Sequence, residues 1–136
     1  MRRLIALVAA TSLGLCSGCG DDVSPADLDG RTFTSFKVEA GAPLAPQTQL
    51  TLRFEDRGVW ADAGCNAFGG AYEIKNGEMT ADGGMTQMGC AEAVHEQENR
   101  FADLLAYGAK VSFDSDRNLR ITGGGTTVVL RQTAGR

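Results

Sequence analysis

Alternating apolar and polar residues mark short strands along this chain. In residues 49–55 the two kinds alternate without interruption, with Leu50, Leu52 and Phe54 set against Thr51, Arg53 and Glu55. A period of two is typical of a half-buried antiparallel strand. Asp56-Arg57-Gly58 then turns the chain into a second strand pattern at residues 59–62, so a hairpin is predicted.

Similar strand patterns recur before and after this hairpin. They cover residues 31–38, 71–74, 78–80, 110–113, 119–122 and 126–130, and residues 85–88 are a further short candidate. Asn76-Gly77 is a strong hairpin signal because both residues tolerate positive φ. Residues 114–118 and Gly123-Gly124-Gly125 have the composition of hairpin loops.

The period changes in residues 91–107, which contain no glycine or proline. Four apolar side chains fall on one helical face, namely Val94, Phe101, Leu104 and Leu105, and Gly108 is placed to end the helix. The predicted fold class is α+β, mostly β. We expect a meandering antiparallel sheet or small barrel of about seven to nine strands, with this one helix packed against it.

Composition limits the classes of function. A chain of 136 residues has the length of one domain, and 18 glycines against 3 prolines indicate many tight turns. The formal net charge is -4 and the basic residues form no cluster. Nucleic acid binding depends on lysine and arginine at the phosphates, so nucleic acid is not an expected partner.

The first residues have the features of an export signal. Arg2 and Arg3 precede an apolar run at residues 4–15, which is too short to span a bilayer. Residues 15–19, Leu-Cys-Ser-Gly-Cys, resemble a bacterial lipobox, although Cys16 stands where leucine is usual. This predicts a lipoprotein signal peptide at residues 1–18 and acylation of Cys19. An ordinary secretory signal with incidental cysteines is the alternative.

The lipobox predicts a location in the bacterial cell envelope, lipid-anchored and facing the periplasm or the cell surface. Residues 19–29 are small and acidic and are predicted to be a flexible tether, followed by a folded domain over residues 30–132. Removal of the signal deletes Cys16 and acylation uses Cys19, which leaves Cys65 and Cys90. Because an exported domain is in an oxidising compartment, these two cysteines are predicted to form a disulfide.

Three groups of residues, jointly spaced, resemble the motifs of the META domain family. They are Gly64, Cys65, Asn66, Phe68, Gly70 and Tyr72 in the first group, Thr86, Met88 and Cys90 in the second, and Glu98, Phe101, Leu104 and Leu105 in the third. The resemblance extends over residues 28–131. It departs from the usual pattern at Gly89, where alanine is common, and at Phe33, where tryptophan is common.

The resemblance implies a small β-rich domain with a helix against the sheet, often found on exported lipoproteins and without an established enzymatic activity. Some members are linked to stress tolerance. We therefore expect a non-enzymatic, membrane-anchored domain without a catalytic set, metal or cofactor. Its expected partners are the membrane, through the N-terminal lipid, and an envelope protein or hydrophobic ligand.

An enzyme that uses His95 and Glu92 with a metal is the alternative. The two residues share a helical face, but zinc and iron sites need three or four ligands, and the sequence contains no second histidine. Trp60 and Tyr72 are expected to serve packing in the core or at the barrel mouth, in preference to forming a ligand platform.

Overall fold

The protein is a closed, eight-stranded antiparallel barrel with a long helix packed against it, which confirms the predicted fold class. The structure is a computed structural model that describes residues 22–135. Its elements are α1 (Pro25–Leu28), β1 (Thr32–Ala40), β2 (Thr51–Glu55), β3 (Gly58–Asp62), β4 (Ala67–Lys75), β5 (Glu78–Asp82), α2 (Glu92–Tyr107), β6 (Ala109–Phe113), β7 (Leu119–Gly123) and β8 (Thr126–Ala134). Within residues 22–135, no helix is long and apolar enough to cross a membrane.

The strand order gives the barrel two distinct ends. Each strand pairs with the next along the chain, and β8 closes the barrel by pairing with β1. Alternate connections therefore gather at the same end. The turns at 56–57 and 76–77 and the loop at 114–118 lie at the end where α1 enters, which we call the α1 end. The loops at 41–50, 63–66 and 83–91 and the turn at 124–125 lie at the other, the α2 end.

Large apolar side chains fill the barrel. Inward positions alternate with outward ones, as in β2 and β3, so that each strand gives one face to the interior. The largest fully buried apolar side chains include Phe33, Phe54, Leu50, Leu52, Met79, Leu119, Ile121 and Leu130. The rings of Phe33 and Phe54 meet edge to face, with centroids 6.0 Å apart. The interior is thus a packed hydrophobic core.

The described part of the predicted tether, residues 22–29, belongs to the folded domain, which corrects the prediction. Val23 is 4% exposed and Leu28 is fully buried in the core cluster. Asp22 bridges Ser112 of β6, and α1 follows. The prediction failed because most residues of this stretch are small or acidic, and the spacing of the two buried apolar residues, Val23 and Leu28, matches neither a helix nor a strand. The predicted signal peptide (1–18) and Cys19 lie outside the described residues.

The candidate strand at residues 85–88 is also wrong. Met85 makes one isolated bridge to Phe68, and the residues that follow form a loop. The Thr86 N–H donates to the Ala67 carbonyl of β4 at 3.0 Å, but the Thr86 hydroxyl and the Met88 N–H both donate to the Asn66 side chain. Hydrogen bonds to the Asn66 side chain thus take the place of the ladder of backbone hydrogen bonds that a strand requires.

A capping box begins α1, and it makes the stability of this end depend on pH. The Ser24 hydroxyl and backbone N–H both donate to Asp27 Oδ2, at 2.6 and 2.9 Å, and these bonds hold the pKa of Asp27 below its usual value. A lowered folded-state pKa stabilises the fold above the unfolded-state pKa of about 3.9, and the contribution is lost as the pH falls through the folded-state value.

We therefore expect Asp27→Asn to lower the free energy of unfolding by about 0.5–1 kcal/mol at pH 7. The difference from the parent protein should shrink as the pH falls through the unfolded-state value of about 3.9 towards the folded-state pKa of Asp27. Urea unfolding of both proteins from pH 7 to pH 3 measures it. A difference that stays constant over this range would show that the carboxylate has no role in the cap.

Candidate functional site

The cysteines of the first two motifs form the predicted disulfide at the α2 end. The Sγ atoms of Cys65 and Cys90 are 2.10 Å apart, and 25 positions separate the two residues. Cys65 lies in the loop between β3 and β4, and Cys90 lies just before α2. The bond therefore joins the barrel to the start of the helix.

Asn66 is the centre of a hydrogen-bond network beside this disulfide. Its side chain is almost completely buried, at 1% exposure. Its Oδ1 accepts from the Thr86 hydroxyl at 3.0 Å and from the Met88 N–H at 2.8 Å. Its Nδ2 donates to Cys90 Sγ at 3.1 Å and to Glu98 Oε2 at 3.0 Å. One amide thus holds the second motif and α2 to the barrel.

Glu98 brings a carboxylate from α2 into the same network. It is fully buried, and its Oε1 accepts from the backbone N–H of Cys65 at 2.7 Å and from that of Asn66. The side chain of Asn66 donates to its other oxygen. Three N–H groups of the first motif therefore have one carboxylate as their acceptor, which accounts for the glutamate at this position.

Gln97 forms a second polar tie that the sequence analysis missed. Its Oε1 accepts from the Ala45 N–H at 2.7 Å, and its Nε2 donates to the Ala63 carbonyl at 2.7 Å and to the Thr48 hydroxyl at 2.9 Å. A signal was present: Gln97 stands three positions after Val94 and four before Phe101, on the apolar face of α2. A polar side chain on an inward face indicates a buried partner.

The aromatic residues of the predicted motifs serve packing. Phe68 and Phe101 are buried in the core, and Tyr72 packs its ring on Phe54 with centroids 5.3 Å apart. Gly64 has a backbone φ of +129°, in the region that favours glycine. The side chain of Met88 is exposed, and its backbone N–H donates to Asn66. Trp60, expected in the core or at the barrel mouth, instead lies half exposed on β3.

Gly70 allows the end of β5 to approach the backbone of β4 closely. A Cβ atom at this position would stand 2.1 Å from the backbone oxygen of Asp82, which cannot move as a flexible side chain would. We expect Gly70→Ala to cost about 1–3 kcal/mol of unfolding free energy, measured by chemical denaturation. Gly84→Ala is the matched control, because nothing lies within 4 Å of the added atom. Equal stability of the two variants would contradict the close approach.

The alternative metal site at Glu92 and His95 is not assembled in the structure. Both side chains are exposed on α2. Among residues 22–135, the three potential ligands that come together are Cys65, Cys90 and Glu98, with ligand atoms within 4.8 Å of one another. Both cysteines are in the disulfide and Glu98 already accepts three hydrogen bonds, so these groups have other roles in the oxidised protein.

A groove of about 510 Å³ lies between α2 and the β7–β8 hairpin. We call it the α2 groove; it includes Arg100, Asp103, Leu104 and Tyr107 on the helix and Gly124 on the hairpin. Tyr107 is 86% exposed. The Nε and Nη2 atoms of Arg100 are buried and have no hydrogen-bond partner among the described residues. The groove therefore combines an exposed aromatic ring with a half-buried arginine.

Comparison with known proteins identifies the family. The META domain model matches residues 26–135, which is most of the chain and nearly all of its described part. The chain belongs to the META domain family. The family model begins within α1, in agreement with the packing of that helix as part of the domain.

Individual relatives of the META domain agree with this assignment. The chain is 28% identical over 123 residues to the heat shock protein HslJ of Escherichia coli (strain K12), with 86% of each chain covered. An NMR structure at 26% identity superposes with a TM-score of 0.66 and covers 80% of this chain and 94% of its own. A second, from Burkholderia xenovorans, has 16% identity and a TM-score of 0.67, covers 95% and 99%, and supports the fold alone.

Proposed function

We propose that this chain is a non-enzymatic META domain of a lipid-anchored envelope protein, and that it acts in stress tolerance by binding a partner protein in the α2 groove. The word "heat shock" in the name of its Escherichia coli relative supports the link to stress. The lipobox at residues 15–19 supports the anchor at Cys19 and the location in the cell envelope.

The observation that carries the proposal is that Tyr107 and Arg100 line the same groove. Tyrosine and arginine are enriched among the residues that dominate protein interfaces. Arg100 is half-buried and lines the groove, so its guanidinium offers a positive charge to a carboxylate or carbonyl oxygen of the partner. Leu104, which is 7% exposed, forms an apolar part of the groove wall.

The family motifs support a role in folding for the disulfide region. Asn66, Thr86 and Glu98 direct their polar groups to one another and to nearby backbone, as structural residues do. A hydrophobic ligand inside the barrel is the less supported version of the proposal, because side chains such as Phe33 and Phe54 occupy that space.

Site-specific photocrosslinking in cells tests the groove. The full chain would carry benzoyl-phenylalanine in place of Tyr107 or, as the matched control, in place of Trp60, since both are exposed aromatic residues. We expect a discrete crosslinked partner at position 107 but not at position 60, and its loss when Arg100→Ala is added. Crosslinks of equal yield at both positions, or a crosslink that survives Arg100→Ala, would refute binding in the α2 groove.

A further inference from the structure

The N-terminal segment fixes which end of the barrel is nearest to an N-terminal anchor. Asp22 bridges Ser112 of β6, and Val23 is buried in the core. The chain is therefore held to the barrel from residue 22, well before the start of β1 at Thr32. Only two residues lie between Cys19 and Asp22 in the sequence, so the three Cα–Cα steps span at most about 11 Å.

The barrel is taller than this span. β1 contains nine residues, which at about 3.3 Å each and with the usual strand tilt extend about 20–25 Å along the barrel axis. A lipid on Cys19 would thus hold the α1 end close to the membrane. The long axis of the barrel then carries the α2 end away from it.

The surface of the α1 end is mainly polar. Its connections are short, and the turn residues Asp56, Arg57, Asn76 and Arg117 have positive φ, as tight turns require. Exposed side chains of both charges are present there, including Asp56 and Arg57. The large exposed apolar residues of the described chain are Phe36, Trp60, Met88 and Tyr107, and none of them is in these turns.

From these observations we propose that the α1 end is a membrane-facing surface that rests on the phospholipid headgroup layer without inserting into it. The inference rests on the acylation of Cys19 in the proposed function. It also gives the domain an orientation on the membrane. The α2 groove and the Cys65–Cys90 disulfide face away from the membrane, where a partner protein has access to Tyr107.

Headgroup quenching of a fluorophore tests the orientation. The acylated full chain would be placed in phosphatidylcholine vesicles that contain a lipid with a nitroxide on its headgroup. Ser115→Cys puts a label in the β6–β7 loop at the α1 end, and Ala42→Cys puts one in the β1–β2 loop at the α2 end; both positions are exposed. With Cys19 acylated and Cys65 and Cys90 paired, the added cysteine is the free thiol of the mature chain.

We expect quenching at position 115 to exceed quenching at position 42 several-fold. An insertion of about twelve glycine and serine residues between Gly20 and Asp21 adds a flexible reach of about 20 Å and should remove most of this difference. Equal quenching in acylated, vesicle-bound protein would overturn the orientation and leave the anchor standing. An intact mass without the lipid on Cys19 would overturn the anchor, and with it both the proposed function and this inference.

Discussion

Replacement of Glu98 by alanine is expected to lower the free energy of unfolding by about 3–5 kcal/mol. The substitution removes the acceptor of three N–H groups, two on the backbone of Cys65 and Asn66 and one on the side chain of Asn66. The region is buried, so water cannot easily replace the carboxylate, and each orphaned donor costs about 1–3 kcal/mol. Chemical denaturation of the purified domain measures the loss.

Two further variants separate the network from the helix. Glu96→Ala removes an exposed carboxylate from the same helix and should change stability by less than about 0.5 kcal/mol. Glu98→Gln keeps one oxygen acceptor but presents an NH₂ group to the Asn66 side chain, so we expect a loss of about 1–3 kcal/mol. A Glu98→Ala variant as stable as Glu96→Ala would contradict the network.

Loss of the Cys65–Cys90 disulfide is expected to cost about 3–4 kcal/mol. The bond closes a loop with a sequence separation of 25 and so lowers the conformational entropy of the unfolded chain. Without the bond the unfolded chain gains entropy, which favours unfolding. The test is urea unfolding of the Cys65→Ala/Cys90→Ala double variant beside the oxidised parent. Reductant should destabilise the parent by a similar amount and leave the double variant unchanged.

The losses of stability caused by Glu98→Ala and by removal of the disulfide should not be additive. Asn66 donates to both Cys90 Sγ and Glu98 Oε2, so each change disturbs a partner of the other. A triple variant without the disulfide and Glu98 should therefore lose less or more than the sum of the separate losses by at least about 0.5 kcal/mol. Strict additivity would indicate that the disulfide and the carboxylate act on separate parts of the fold.

Much of the fold was predictable because it depends on local patterns. The alternation in residues 49–55 and the Asn76-Gly77 turn marked β2 and the β4–β5 hairpin, and the apolar face at residues 94–105 marked α2. The local patterns did not decide between a closed barrel and an open sheet. The pairing of β1 with β8 joins residues about 100 positions apart, for which no short-range signal exists.

The sequence predicted which residues form the site better than it predicted the contacts between them. The motif spacing singled out Asn66, Thr86 and Glu98, but the hydrogen bonds between them depend on how the loops at the α2 end meet. Gln97 could have been found as a polar residue on the inward face of α2. The role of Arg100 could not, because the groove that it lines exists only where the β7–β8 hairpin lies beside the helix.

Native-state hydrogen exchange at the Cys65 and Asn66 amides tests the central claim most directly, namely that the motif residues form a structural joint between α2 and the barrel. If Glu98 holds both N–H groups, they should exchange only through global unfolding, with the protection of core strand amides such as those of β3. Glu98→Gln should weaken this protection. Exchange in the parent protein as fast as at the exposed loop residue Gly84 would contradict the joint.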